Sequence, residues 1–256
     1  VNFRGRSLSG FTLIEVAIVL CIIGVLSGIG IPAINSYIKH QKARKTEDHL
    51  EQILQSLTAY LLNNKSLPCP SNPKASAEDA GISGHNCSFE DTAVGLVPYK
   101  TLGIPEKIAK DGYHHWITYA VDPALSNPEI RYLNAPDDVV VLPNFVFCEV
   151  EGGAAPLNVT NSSKQSVLDP SSQTKDPIAV VLISHGPSGD GSFDDKGDRH
   201  PQASPDKETN ADSTSNFVDR APSFNKGDFF DDTVKWVTRN NLMALYGKQI
   251  CVRRND

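Results

Sequence analysis

The sequence predicts an α+β protein, with one long N-terminal helix packed on an antiparallel β-sheet head that carries long loops. Three observations predict it. From Phe11 to Ile34 every residue is apolar or glycine except Thr12, Glu15, Ser27 and Pro32, and this run passes directly into a segment whose leucines recur at helical spacing. Further along lie stretches rich in β-branched and aromatic residues. Polar segments full of Gly, Pro, Ser and Asn separate them.

As a helix, residues 11–34 extend about 36 Å, enough to cross a hydrocarbon core of about 30 Å. The segment is therefore expected to span a membrane. Gly24 and Gly28 form a small-xxx-small pair that lets helix backbones approach closely, and Pro32 removes a backbone donor and should loosen the helix near Gly28. After the span, Leu50, Ile53, Leu54, Leu57 and Leu61 make one apolar stripe, so the helix should continue to about Asn63, where "NNKSLPCP" stops it. A single stripe must be buried against something, and a sheet fits. The expected divisions are 1–10, 11–34, 35–63 and a globular head over 64–256.

Candidate strands in the head are His115 to Asp122, Val139 to Val150 and Pro177 to Gly186. The last is apolar almost throughout and is expected at the centre of the sheet. Residues 70–87 and 152–176 are turn-rich and read as loops. The stretch "FFDDTVKWVTRNNLMALYG" has Phe230, Val234, Val237, Leu242 and Leu245 near helical spacing, with Asp231 and Asp232 placed to start a helix.

Composition bounds the function. A chain of 256 residues with net charge -6 and a pI near 5.6 offers no broad basic surface, so nucleic acid is not an expected partner, although Lys39, Lys42, Arg44 and Lys45 form a local basic cluster. Of five cysteines, Cys21 lies in the apolar run, while Cys69, Cys87, Cys148 and Cys251 lie in the polar remainder and suit two disulfides in an oxidising compartment. Cys69 with Cys87 is the expected pair, because it staples a loop with few apolar anchors. Cys148 with Cys251 follows by elimination.

No Ser or Cys nucleophile has a recognisable setting, so an enzyme is not expected. His185, at a strand end before glycines, is the candidate general base, against a plain turn in which Gly186, Gly189 and Gly191 supply the backbone angles. His85, His114 and His115 lack zinc-ligand spacing. Asp190, Asp194, Asp195 and Asp198 are candidate calcium ligands because they supply hard oxygens in one loop, but the order of an EF-hand loop is absent and a solvated acidic loop has the same composition.

One residue does not belong in a plain anchor. A carboxylate deep in a bilayer costs about 2.5–3.5 kcal/mol and calls for a partner. Glu15 is that carboxylate unless it reaches the interface. The residues before it are "RGRSLSG", with Arg4 and Arg6 and a terminal Gly10, followed at once by "FTLIE".

Over Gly10 to about Ala33 this resembles the type IV prepilin and type II secretion pseudopilin family. The resemblance implies cleavage between Gly10 and Phe11 by a membrane prepilin peptidase, methylation of Phe11 by the same enzyme, and a pilin architecture with its helix on an antiparallel sheet. It implies pairing of Glu15 with the terminal amine of a neighbouring subunit, and partners comprising other pilin or pseudopilin subunits, an inner-membrane assembly platform and the lipid bilayer. The location implied is the bacterial inner membrane with a periplasmic head, then a pilus or pseudopilus. The positive-inside count of Lys39 to Lys45 against Arg4 and Arg6 opposes that orientation, whereas the leader and the cysteines favour it. The large head, with "LPCP" and "SHGPSGDGSF", resembles larger minor-pilin-like proteins. Glu15 departs from the large secretion pseudopilin that lacks this glutamate. The reading from another class is a membrane-anchored periplasmic binding protein that never polymerises.

Overall fold

The apolar stripe of the N-terminal helix determines what the rest of the head must look like. In the computed structural model, which describes residues 10–64, 66–84, 87, 94–126, 157–169, 176–212 and 214–244, with the side chains of 26–33, 124 and 243 outside that description, α1 runs unbroken over Leu13–Asn64. The chain divides into two units, Val1–Ala43 and Arg44–Asp256, and α1 contributes to both. In the second unit its leucine stripe, Leu50, Ile53, Leu54, Leu57 and Leu61, is buried.

The stripe lies on a four-stranded antiparallel sheet. β1 is Val94–Leu96, β2 Thr118–Val121, β4 Ile178–Ser184 and β6 Thr233–Thr238, in the order β1-β2-β4-β6. Because side chains alternate along a strand, one face of the sheet presents Tyr119, Val121, Val180 and Leu182 to the α1 stripe in a single apolar cluster. The other face presents Ala120, Val181 and Ile183 to a second cluster with Leu157, Val159 and Phe217. That second layer comes from a parallel pair, β3 (Asn158–Thr160) with β5 (Asn216–Val218). Both faces of β4 are thus covered, which is why the strand is apolar throughout and buried at all seven residues.

A one-turn α2 (Pro123–Ser126) follows β2, α3 (Pro205–Ala211) precedes β5, and α4 (Arg239–Ala244) ends the described chain. The sequence signal for α3 is local and complete: Ser204 caps it by accepting the Lys207 amide, and Pro205 opens it.

The helix-on-antiparallel-sheet arrangement is as expected, as are the strands near 118–121 and 178–184. The helix expected over 229–247 is a correction. Residues 233–238 form β6, and a short helix begins only at Arg239. The apolar positions there satisfy both periods, and tertiary pairing decides: Val234 and Trp236 face one layer, Val237 the other, while the backbone pairs with β4 from Ser184↔Thr233 to Val180↔Val237. The segment 152–176, expected as loop, supplies β3. The candidate strand 139–150 lies outside the described residues.

Two substitutions test this packing. Leu57→Ala should destabilise the head by about 2–5 kcal/mol in chemical denaturation, because Leu57 is enclosed between helix and sheet. Gly186 has φ 65° and a Cβ there would stand 2.1 Å from the Asp231 carbonyl oxygen. Gly186→Ala should lower the melting temperature more than Gly103→Ala, where φ is also positive, at 68°, but a Cβ meets nothing.

Candidate functional site

Three places carry the residues singled out by sequence: the start of α1, a disulfide loop, and the end of β4. At the first, Thr12 is the helix cap. Its hydroxyl accepts the Glu15 amide at 3.3 Å, and its carbonyl accepts the amides of Glu15 and Val16 at 3.1 and 3.2 Å. Glu15 therefore sits in the first turn, where unpaired amides make the helix end positive and favour a carboxylate. Around it the helix is apolar on every side, and the side chains are exposed, from Phe11 at 82% and Leu13 at 92% to Ile18, Ile22, Ile23 and Val25 at about half. A Cβ at Gly24 would meet nothing within 4 Å, leaving an open notch in that surface. Cys21 is a free, exposed thiol. Gly28 and Pro32 are within the unbroken helix, but their side-chain surroundings lie outside the description. Among the described residues no helix is long and apolar enough to cross a membrane.

Cys69 and Cys87 form the expected disulfide, with Cα atoms 5.8 Å apart across an 18-residue separation. Both are buried against the α1 cluster. The segment they enclose is otherwise polar and exposed in most of its described residues, so the covalent tie holds what apolar contacts do not. Cys148 and Cys251 lie outside the described residues, as do Arg4, Arg6 and His85.

At the end of β4 the chain turns through Gly186, Gly189 and Gly191, all with positive φ. His185 is fully buried. Its Nε2 lies 2.9 Å from the Thr118 hydroxyl, and its Nδ1 faces the Asp190 backbone and Asp232 Oδ1, the latter at 3.8 Å, without a well-formed hydrogen bond to either. Burial first, then the cations of Arg199 and Lys207, holds its pKa well below the ordinary histidine value, so the ring is neutral.

Beside it lies a group that sequence reading missed. Lys207, on α3, is fully enclosed, and its Nζ donates to Asp231 Oδ1 and Asp232 Oδ1, both at 2.5 Å, to Ser188 Oγ at 3.2 Å and to the His185 carbonyl at 3.3 Å. Asn210, one turn along α3, donates to Asp232 Oδ2 at 2.9 Å. Asp231 in turn accepts the Ser188 amide at 2.9 Å and hydroxyl at 3.0 Å. Burial raises the Asp232 carboxyl to about 6, against the pull of Lys207 and Asn210. Arg199 donates to the Gly191 carbonyl and to Thr118, with burial lowering its pKa to about 10. The signal available in sequence was the adjacent pair Asp231–Asp232, whose partner came from a region with no apolar pattern.

The acidic loop does not converge. Asp194 Oδ1 accepts the amides of Lys196 and Asp198, closing a turn, and Asp198 pairs with Lys74 at 2.7 Å. Among the described residues no group of three or more His, Cys, Asp or Glu side chains is arranged to hold a metal ion. His115 Nδ1 lies 3.0 Å from the Gly186 carbonyl, and His114 has positive φ in the preceding turn.

A type IV major alpha-pilin of Moraxella bovis is 32% identical to this chain over 79 residues, which are 31% of this chain and 50% of that protein. The chain thus spans about half the length of the curated relative it matches. No family model and no solved structure matches it.

Two measurements follow. Unfolded histidine titrates near 6.5 while folded His185 stays neutral, so the unfolded state gains a proton first and stability falls as pH drops below about 6.5, by up to roughly 1.4 kcal/mol per unit. In His185→Gln the loss of stability with acid should be shallower, read by denaturant midpoints over pH 4–7. Replacing Cys69 and Cys87 by serine should cost the head about 3 kcal/mol, and reductant should reproduce that loss in the parent chain.

Proposed function

We propose that this chain is a non-enzymatic structural subunit of a type IV pilus or type II secretion pseudopilus, in the manner of a minor pilin or pseudopilin. It is made with a leader cut between Gly10 and Phe11 by a prepilin peptidase, methylated at Phe11, held in the bacterial inner membrane by residues 11–34 with its head in the periplasm, and assembled with other subunits through that helix.

The observation that carries this reading is the apolar, exposed surface that runs from Phe11 into α1 as far as Val25, with one carboxylate at the capped end of the helix. Such a surface is stable only when lipid or other helices cover it. The likeness to a pilin over 79 residues, the helix-on-sheet fold and the Cys69–Cys87 disulfide support the same reading.

Glu15 has two tasks in this reading. Near the helix start it complements the amides left unpaired by the first turn, and within a bundle it offers a charge for the terminal amine that cleavage creates at Phe11. Two buried opposite charges that meet cost less than either alone. Asp190, Asp194, Asp195 and Asp198 form an acidic surface loop in this reading, and calcium binding there plays no part in assembly.

The N-terminal peptide of protein from its native membrane should begin at Phe11 and carry one methyl group. An N-terminus upstream of Gly10 would refute the processing. Glu15→Ala should still be cut and retained in the membrane but should be missing from sheared filaments. Incorporation at the parent level would remove the assembly role.

A further inference from the structure

The amine of Lys207 lies in a setting that a simple ion pair does not require. It is fully enclosed, and two carboxyl groups share it at equal distance, one on each of two consecutive residues. Those carboxyls differ in their other partners. Asp231 is held by the amide and hydroxyl of Ser188 through its two oxygens. Asp232 has Oδ1 on the amine and Oδ2 on the Asn210 side-chain amide at 2.9 Å. The site therefore contains a nucleophile, an acyl group polarised by a fixed donor, and a second carboxylate within reach of the nucleophile's protons. The Phe229 ring centroid lies 5.7 Å from the amine.

We propose that Lys207 and Asp232 condense to an intramolecular amide that joins α3 to the residues before β6. The ammonium passes one proton to Asp232 Oδ1, and the freed lone pair on Nζ attacks Cγ while Asn210 holds Oδ2. Asp231 Oδ1 takes a second proton from Nζ and returns it to the departing Oδ1. The Nζ–Cγ bond forms, the Cγ–Oδ1 bond breaks, and Oδ1 leaves as water carrying both protons. One proton stays on nitrogen, Asp231 ends as it began, and no co-reactant is consumed.

Three features drive the reaction in this direction. The fold holds the reacting groups in contact, which replaces a bimolecular encounter. One positive and one negative charge disappear from an interior where both are poorly solvated. Burial also raises the Asp232 carboxyl to about 6, so a neutral acid is accessible near neutral pH. The amide that results is shielded from water by the same enclosure.

Peptide mapping of the full-length protein, denatured, reduced and digested with trypsin, decides the matter. If the amide forms, trypsin cannot cut after Lys207. Residues 200–220 should then be recovered joined to residues 227–235, at a mass below their sum by one water, with fragmentation placing the junction at Lys207 and Asp232. Recovery of separate peptides 200–207 and 227–235 in full yield would overturn the proposal, and so would a water loss confined to one peptide. Asp231→Asn removes the proton carrier. In its folded, protease-resistant fraction the joined species should fall at least tenfold, and a joined species at the parent level would overturn the role of Asp231.

Discussion

The contact between the leucine stripe of α1 and the inner face of β2 and β4 is the constraint on which the head depends. Leu50, Ile53, Leu54, Leu57 and Leu61 are of little use to an isolated helix, and buried together each is worth about 1.5–3 kcal/mol. Once Tyr119, Val121, Val180 and Leu182 are turned toward that stripe, Ala120, Val181 and Ile183 must turn away from it. A strand as apolar as β4 cannot leave that second face in water. The parallel pair β3–β5 is the answer to this requirement, and it explains why two three-residue strands from polar surroundings hold positions so far apart in sequence.

Polar groups are handled differently. The head gathers a lysine, two aspartates, an asparagine and a histidine at the end of β4, where the chain must leave the sheet. A buried cation is tolerable only if its donors are taken up, and Lys207 meets four acceptors. Asn210 adds a backbone function, accepting the Val218 amide and donating to its carbonyl, so that the same short helix secures β5.

Much of this was legible from residues alone, for identifiable reasons. The helix and its end near Asn63 follow from period and from stop signals, and the continuous apolar run Ile178 to Ile183 marks a strand covered on both sides. The pairing of Cys69 with Cys87 was legible because the enclosed segment is poor in apolar residues. By contrast, Phe230, Val234 and Val237 fit a helix as well as a strand, and only the pairing with β4 distinguishes them. β3 and β5 are too short to show a period. The Lys207 cluster joins residues more than twenty positions apart with no local pattern, so only the fold could reveal it. At the start of α1 the motif is plain in sequence, whereas the capping bond from the Glu15 amide to Thr12 emerges only in the fold.

Asp231 and Asp232 illustrate how a polar contact can set geometry far from itself. Neighbouring residues on an extended strand point to opposite faces, whereas the carboxylates of Asp231 and Asp232 converge on one amine. β6 begins at Thr233, just after the pair. From there the alternation is counted: Lys235 emerges on the helix side beside Glu47 and Glu51, and Trp236 on the opposite side, where its indole nitrogen donates to Asp219. The lysine amine is in effect the zero mark of a ruler. One residue inserted between Asp232 and Thr233 would leave that mark in place and exchange the two sides, carrying an ammonium into an apolar layer and an indole out to face two glutamates.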